Sequence, residues 1–265
     1  LLVLLPPSEG KAAAPRRGRP LDLDALSLPE LTPTRAALVA AVESLAQGPR
    51  GKAVEALGLT AGLAGEVDKD AVLTTSPTLP ASKLYTGVLY EALGLTTLDA
   101  AALRRARRSL LISSALFGAV RLTDRLPTYR LSMTARLPRA RSTLAAQWRT
   151  PLQQAMPAAA GRSVILDLRS GPYAAMWRPK AELASRTASV RVLHEAVPGD
   201  RSTRSIVSHF NKATKGRLVR SLLIDGRTPS TVDELVDLLS DLGWTVEPGP
   251  ATAGVRAVDV VVPQV

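Results

Sequence analysis

The chain has 265 residues, 34 of them Lys or Arg against 23 Asp or Glu, which gives a net charge of +11. Hydrophobic residues make up 46% and aromatics only 3%, so a core of the size this length allows must be built from Ala, Leu and Val rather than large rings. There is no cysteine, which excludes disulfide scaffolds, thiolate zinc sites, thiol catalysis and cysteine-bound iron–sulfur clusters.

Leu1 to Leu5 is an apolar run closed by Pro6 and Pro7, the pattern of a buried strand, and Pro6-Pro7-Ser8-Glu9-Gly10-Lys11 reads as a tight loop at its end. The run is too short for a signal h-region or a membrane span, and no stretch of about 18 uninterrupted apolar residues occurs elsewhere. The chain therefore reads as cytoplasmic, with no membrane partner. Leu38, Ala41, Val42 and Leu45 recur at helical spacing within 34–46, and a second helical segment over 53–63 is broken by glycines. Residues 76–80 carry two prolines and read as a loop; 84–93, with Tyr85 and Tyr90, reads as a helix.

A basic helix ending near Arg108 runs into a strand over 109–115, and 121–133, with Pro127, reads as loop. A helix over 142–155 carries Trp148; a buried strand over 164–168 ends in the turn Arg169-Ser170-Gly171-Pro172. A strand over 191–195, a long basic helix over 206–223, an acidic amphipathic helix over 231–242 and a strand over 255–262 follow. Strands separated by helices, with no linker long and polar enough for a boundary, predict one mixed α+β (α/β) domain over residues 1–265.

The charge is regional. Residues 101–150 carry 11 Arg and one acid, Asp124, and residues 201–230 carry seven basic residues and one acid, whereas 231–265 has one basic and six acidic residues. An anionic partner fits that distribution. No dinucleotide or P-loop glycine fingerprint and no nucleophile elbow appears, and His194 and His209 lie outside any metal-ligand spacing, so no metal and no cofactor is expected.

Two constellations carry chemistry. Around 117–133, Arg121, Arg125 and Arg130 surround Asp124 and Tyr129: either a loop held by an Arg–Asp pair, or a site where Arg forks grip phosphate or carboxylate oxygens beside the tyrosine. In Phe210-Asn211-Lys212-Ala213-Thr214-Lys215-Gly216-Arg217-Leu218-Val219-Arg220, helical spacing places Asn211, Lys215 and Val219 on one face and Lys212, Gly216 and Arg220 on the next. The basic stripe is either a solvated face or a ligand surface. Gly216 costs about 1 kcal/mol in a helix interior relative to Ala, which points to a close approach to the backbone there.

At these segments the sequence resembles the YaaA family of bacterial peroxide-stress proteins. The likeness rests on the opening strand and loop, Leu1 to Lys11; on Tyr85-Thr86-Gly87; on Leu116 through Asp124 to Tyr129-Arg130-Leu131-Ser132-Met133; on the strand Val164 to Leu168 with Tyr173 beyond it; and on Phe210 to Arg220. The opening loop departs from the Ser-Pro-Ala-Lys-Thr form of some members, and Lys11 stands as the functional amine. The resemblance implies a single domain whose central sheet is wrapped by helices, with a basic cleft and a helix-hairpin-helix-like element, for which 53–65 with Gly58, Gly62 and Gly65 is the candidate. It implies binding of double-stranded or structured DNA and a role in limiting iron-linked oxidative damage. The expected oligomeric state is a monomer.

The anion-binding candidates are then Lys11, Tyr85, Gly87, Arg121, Arg130, Tyr173, Lys212, Lys215, Arg217 and Arg220, with Gly87 and Gly118 allowing close approach of backbone to ligand. If about five phosphates are neutralised, log affinity falls with log salt at a slope of roughly −4 to −5. The alternative is an enzyme acting on a nucleobase, nucleoside or other anionic small molecule, with Asp124 or Asp167 as acid or base and Tyr129 as a further catalytic candidate.

Overall fold

The computed structural model describes residues 1–138, 140–206 and 208–263, apart from the side chains of 208–210. Strand β1 (Leu2–Leu5) is followed by helices α1 (Thr32–Gln47), α2 (Arg50–Leu57) and α3 (Val67–Asp70). Then come β2 (Leu79–Pro80), α4 (Ala81–Leu84), α5 (Val88–Leu93), α6 (Ala100–Ser109), β3 (Leu110–Ser114), β4 (Gly118–Arg121) and β5 (Arg125–Leu126). After α7 (Leu144–Ala160) the order is β6 (Ile165–Asp167), α8 (Gly171–Ala174), α9 (Ala181–Ser185), β7 (Thr187–Glu195) and β8 (Arg204–Ser205). The last described elements are α10 (Ser208–Asp225), α11 (Val232–Asp241), β9 (Thr245–Thr252) and β10 (Val255–Pro263).

One sheet organises this mixed α+β fold. Its strand order is β4-β3-β1-β6-β7-β10-β9, with β8 added against β7. β3, β1, β6, β7 and β10 run parallel, and β4 and β9 are antiparallel strands at the two edges. All four residues of β1 are buried, and so are all five of β3, which is why their sequences are unbroken apolar or small runs rather than alternating ones.

Several elements differ from the sequence-based expectation, each for a local reason. The helix expected over 84–93 is two, because Tyr85 leaves α4 in extended conformation to bridge Lys11 and Gly87 follows at φ 93°. Part of the loop expected over 121–133 pairs instead: β5 lies antiparallel to β2, which also takes in Leu79 and Pro80 from the loop expected over 76–80. The unforeseen β9 contains Pro248 and Pro250, tolerated because an edge strand pairs on one side only. The candidate hairpin region holds α2, a 3-10 turn over Ala61–Glu66 and the one-turn α3.

Gly216 sits where α10 crosses α5. A Cβ there would collide with the Leu89 carbonyl oxygen and lie 2.9 Å from Ala92 Cβ and 3.0 Å from Leu93 N, so the close approach its sequence position suggested is made by another helix. Gly118 serves core packing in the same way: at φ 75°, a Cβ would stand 2.7 Å from the Trp148 ring. Among the described residues no helix is long and apolar enough to cross a membrane.

A concavity lies at each end of the sheet. The chain leaves β1 for β3 on one side, and β6 lies on the other, so the strand order reverses at β1 and a crevice opens at its carboxyl end. At the opposite end Leu1, Ser109 and Ser163, which lead into β1, β3 and β6, line a recess of about 500 Å³ together with Arg104, Arg105, Arg108 and Arg227.

Candidate functional site

At the carboxyl end of β1 the loop Pro6–Gly10 forms one wall of a cavity of about 430 Å³. Gly87 and Tyr90, at and within the start of α5, form a second wall, Ser170 and Tyr173 beyond β6 a third, and Asn211, Lys212 and Lys215 of α10 a fourth.

Two of the sequence motifs meet in the first two walls. Ser8 Oγ donates to the Gly10 carbonyl at 2.6 Å and accepts from the Thr86 backbone N–H at 3.1 Å, while Tyr90 Oη donates to the Pro6 carbonyl at 2.7 Å. Ala12 N–H donates to the Leu84 carbonyl at 2.9 Å beside the Lys11–Tyr85 bridge. Tyr85-Thr86-Gly87 is thus the clamp that holds the β1 loop in shape.

Beneath the loop lies a polar network in the core. Tyr129 Oη is 2.9 Å from Tyr85 Oη and 2.7 Å from Ser114 Oγ, which also accepts from the Leu116 and Phe117 backbone N–H groups. Burial pushes the Tyr85 phenol up to about 12 and Tyr129 well above the ordinary tyrosine range, so both stay protonated near neutrality. Lys11 Nζ stands 4.1 Å from the Tyr129 ring centroid and donates to the Ser8 carbonyl at 3.3 Å. Burial lowers its ammonium to about 8; the aromatic face, attractive to a cation, opposes that shift.

Asp70 shares this environment. It is fully buried, its Oδ1 accepts from the Arg130 backbone N–H at 2.7 Å, and its Oδ2 has no hydrogen-bond partner. Burial raises its carboxyl to about 7, against the opposing pull of the Arg130 N–H and of the Lys11 charge. The Arg130 guanidinium reaches back to the loop, donating to the Glu9 carbonyl at 3.0 Å and pairing with the Glu9 carboxylate at 3.2 Å.

The structure therefore gathers Gly87, Tyr173, Lys212 and Lys215 on the cavity, and Lys11, Tyr85, Tyr129 and Arg130 under or beside its β1 loop. Lys215 Nζ donates to the Leu168 carbonyl at 2.9 Å, and burial lowers its proton affinity. The remaining candidates stand elsewhere. Arg121 donates to the Arg108 carbonyl at 2.6 Å, Arg220 donates to the carbonyls of Leu93 and Gly94 at 3.1 and 2.9 Å, and Arg217 is exposed and does not line the cavity. Lys212, Gly216 and Arg220 do not make a basic stripe, because Gly216 and Arg220 face α5.

The two acid candidates hold structure. Asp124 accepts from the Ser27 N–H at 3.0 Å, the Ser27 hydroxyl at 2.8 Å and the Arg121 backbone N–H at 2.8 Å, so its partner in Arg121 is the main chain and not the guanidinium. Asp167 is gripped by the Arg169 fork at 2.9 and 2.7 Å, and neither acid lines the cavity. His194 Nε2 is 3.1 Å from Asn211 Oδ1, and the side chains of His209 and Phe210 lie outside the described residues. Among the described residues no group of three or more His, Asp or Glu could hold a metal ion.

Sequence reasoning missed Asp70 and Arg35. Arg35 is fully buried and donates to the carbonyls of Phe117, Leu28, Ser27 and Ala119, tying α1 to the turn before β4. Its signal was its position: Arg35 shares a helical face with Leu38, Val39 and Val42, where a cation needs buried partners.

The family described as peroxide stress protein YaaA matches residues 1–249. A UPF0246 protein of Streptomyces coelicolor is 54% identical over 267 residues, covering the whole of both chains. A UPF0246 protein of Corynebacterium efficiens is 42% identical over 250 residues, 93% of this chain and 95% of that one. A third, of Corynebacterium glutamicum, is 36% identical over 253 residues, 94% of this chain and 96% of its own.

Proposed function

Because the chain belongs to the YaaA family of peroxide stress proteins, we propose that it serves the peroxide-stress response by binding double-stranded or structured DNA and so limits iron-linked oxidative damage. The observation that carries this reading is Lys212 and Lys215 at the mouth of the cavity beside β1, neither making an ion pair among the described residues. Lys212, exposed and with no carboxylate partner among the described residues, is available to a phosphate, whereas Lys215 is held by the Leu168 carbonyl and lies in the field of Asp167. Glu9, a carboxylate on the cavity wall, is already matched by Arg130.

Because Arg121 and Arg220 are engaged with backbone carbonyls, the electrostatic footprint is smaller than five phosphates. Lys215 is likewise engaged, with the Leu168 carbonyl, so Lys212 is the cation left to contribute, roughly −0.9 to the slope of log affinity against log salt. The test is fluorescence anisotropy with a labelled duplex over a salt series: Lys212→Ala should weaken binding uniformly across sequences and reduce the slope by about 1. An unchanged slope, or no retention of duplex at low salt, rejects the reading.

A second reading, an activity on a nucleobase, nucleoside or other anionic small molecule, is favoured by Lys11 and Asp70. Neither lines the cavity itself, but Lys11 lies under its β1 loop, bonded to the Ser8 carbonyl, and burial moves this amine down to about 8 and the neighbouring buried Asp70 carboxyl up to about 7, toward the range in which a group can exchange protons near neutrality. Lys11→Met keeps the stem over Tyr129 and removes the amine. Catalysis predicts a folded variant that still binds DNA and no longer protects cells against peroxide; full protection discards the idea.

A further inference from the structure

A cavity of about 430 Å³ lies within the size range of sites that enclose a small ligand, roughly 300–1,000 Å³. A duplex, large enough for its major groove to admit a whole α-helix, cannot enter it. The walls combine two kinds of chemistry. Tyr90 and Tyr173 line it, each with less than a tenth of its surface exposed, and Tyr90 is held in place by its bond to Pro6 and by stacking on Tyr85 at 5.7 Å with an interplanar angle of 21°. Lys212 is exposed and Lys215 is seated on the Leu168 carbonyl, so two ammonium groups stand on the α10 side. A narrow strip of aromatic surface on one side and two lysines on another suit a ligand that has a π face and a negative charge on the same small body.

We propose that this cavity holds a single nucleotide unit, its base against the tyrosine wall and its phosphate at Lys212 and Lys215. The unit can come from a free nucleotide or from a base turned out of a DNA strand; the second source rests on the DNA-binding reading above. Extruding a base takes a few kcal/mol and least where the base is already unpaired, so a bubble or bulge is the favoured DNA substrate. Base–aromatic stacking contributes roughly 1–3 kcal/mol per base and is indifferent to sequence.

Photo-cross-linking tests this with two probes: 5-iodouracil placed in an unpaired bubble of a duplex, and free 5-iodo-2′-deoxyuridine monophosphate. The expected result is a covalent adduct mapping by peptide mass spectrometry to Tyr90 or Tyr173, suppressed by excess unlabelled deoxythymidine monophosphate. Ser170→Trp, which sets an indole in the cavity, should remove it; Lys212→Glu, on an exposed helix position, should lower the free-nucleotide yield about tenfold. Adducts from the bubble assign the DNA source. Adducts from the monophosphate alone assign a free nucleotide and keep the cavity assignment even if anisotropy shows no DNA binding. Adducts that map outside the cavity with both probes, or that neither variant nor competitor changes, overturn the proposal, while retained anisotropy would leave DNA binding itself standing.

Discussion

The two ends of the central sheet carry positive charge in different forms. At the carboxyl end of β1 the cations are Lys11, Lys212 and Lys215 with Arg130, set among tyrosines and a buried carboxyl, and burial shifts the proton affinity of both Lys11 and Lys215 downward. At the opposite end arginines dominate, and several of them finish helices or hold loops. Arg105 donates to the Leu223 and Ile224 carbonyls at 2.7 and 3.1 Å in the last turn of α10, and Arg227 pairs with Asp225 and Asp241. Cations at a helix C-terminus satisfy carbonyls that lack partners within the helix. Regional charge in a sequence therefore does not identify a ligand surface: the stretch 101–150 sends Arg104, Arg105 and Arg108 to the arginine recess and Arg130 to the β1 loop, and the stretch 201–230 sends Lys212 and Lys215 to the cavity and Arg227 to the recess.

Helix α10 joins the two ends, and Gly216 is the point on which it is seated against α5. Gly216→Ala should produce the largest effect, a loss of about 3 kcal/mol in urea unfolding, because the added methyl meets main-chain atoms of α5 that cannot rotate away. The same variant should blunt the cavity, since α10 carries Lys212 one turn before the crossing and Lys215 immediately before it. A change within about 0.5 kcal/mol, the range of ordinary surface substitutions, would break the claim that this crossing sets the geometry of both ends.

Asp70 distinguishes the ends next. Its folded carboxyl titrates near 7, above an unfolded value of about 3.9, so the folded state holds the proton more tightly. The stabilisation linked to that proton is fully present below the unfolded value and is lost as pH rises through about 7. Asp70→Asn keeps an oxygen acceptor for the Arg130 N–H and has no titration. Relative to wild type it should gain roughly 1–3 kcal/mol on going from about pH 5 to about pH 8, read from denaturation midpoints at each pH. A difference that does not move with pH would mean that Lys11 holds Asp70 ionised throughout.

The framework of this arrangement was legible in the sequence wherever one physical signal dominated. β1, β3 and β6 are short apolar runs because parallel strands are covered on both faces, and α11 shows Leu235, Leu238 and Leu239 at helical spacing. Lys11, Tyr173, Lys212 and Lys215 could be named because they fall in motifs shared with the family. Asp70 could not, since Glu66 to Asp70 has the composition of a solvated turn and its burial depends on contact with Arg130, 60 positions away. The roles of Arg121, Arg220 and Asp124 were equally hidden: a guanidinium that reaches a carbonyl and one that awaits a phosphate have the same sequence.

The smallest expected effect is the sharpest test of the contrast. Arg104 and Arg108 line the recess at the amino end of the strands, and both are exposed on α6. If DNA is bound at the carboxyl end, the double variant Arg104→Ala/Arg108→Ala should leave the slope of log affinity against log salt unchanged, whereas Lys212→Ala lowers it by about 1. Stability should move by no more than about 0.5 kcal/mol, because neither side chain is buried. A fall of about 1 per arginine would put phosphates across the arginine recess as well. Charge would then act at both ends of the sheet, and the bound strand would have to be long enough to follow α10 from Lys212 to Arg227.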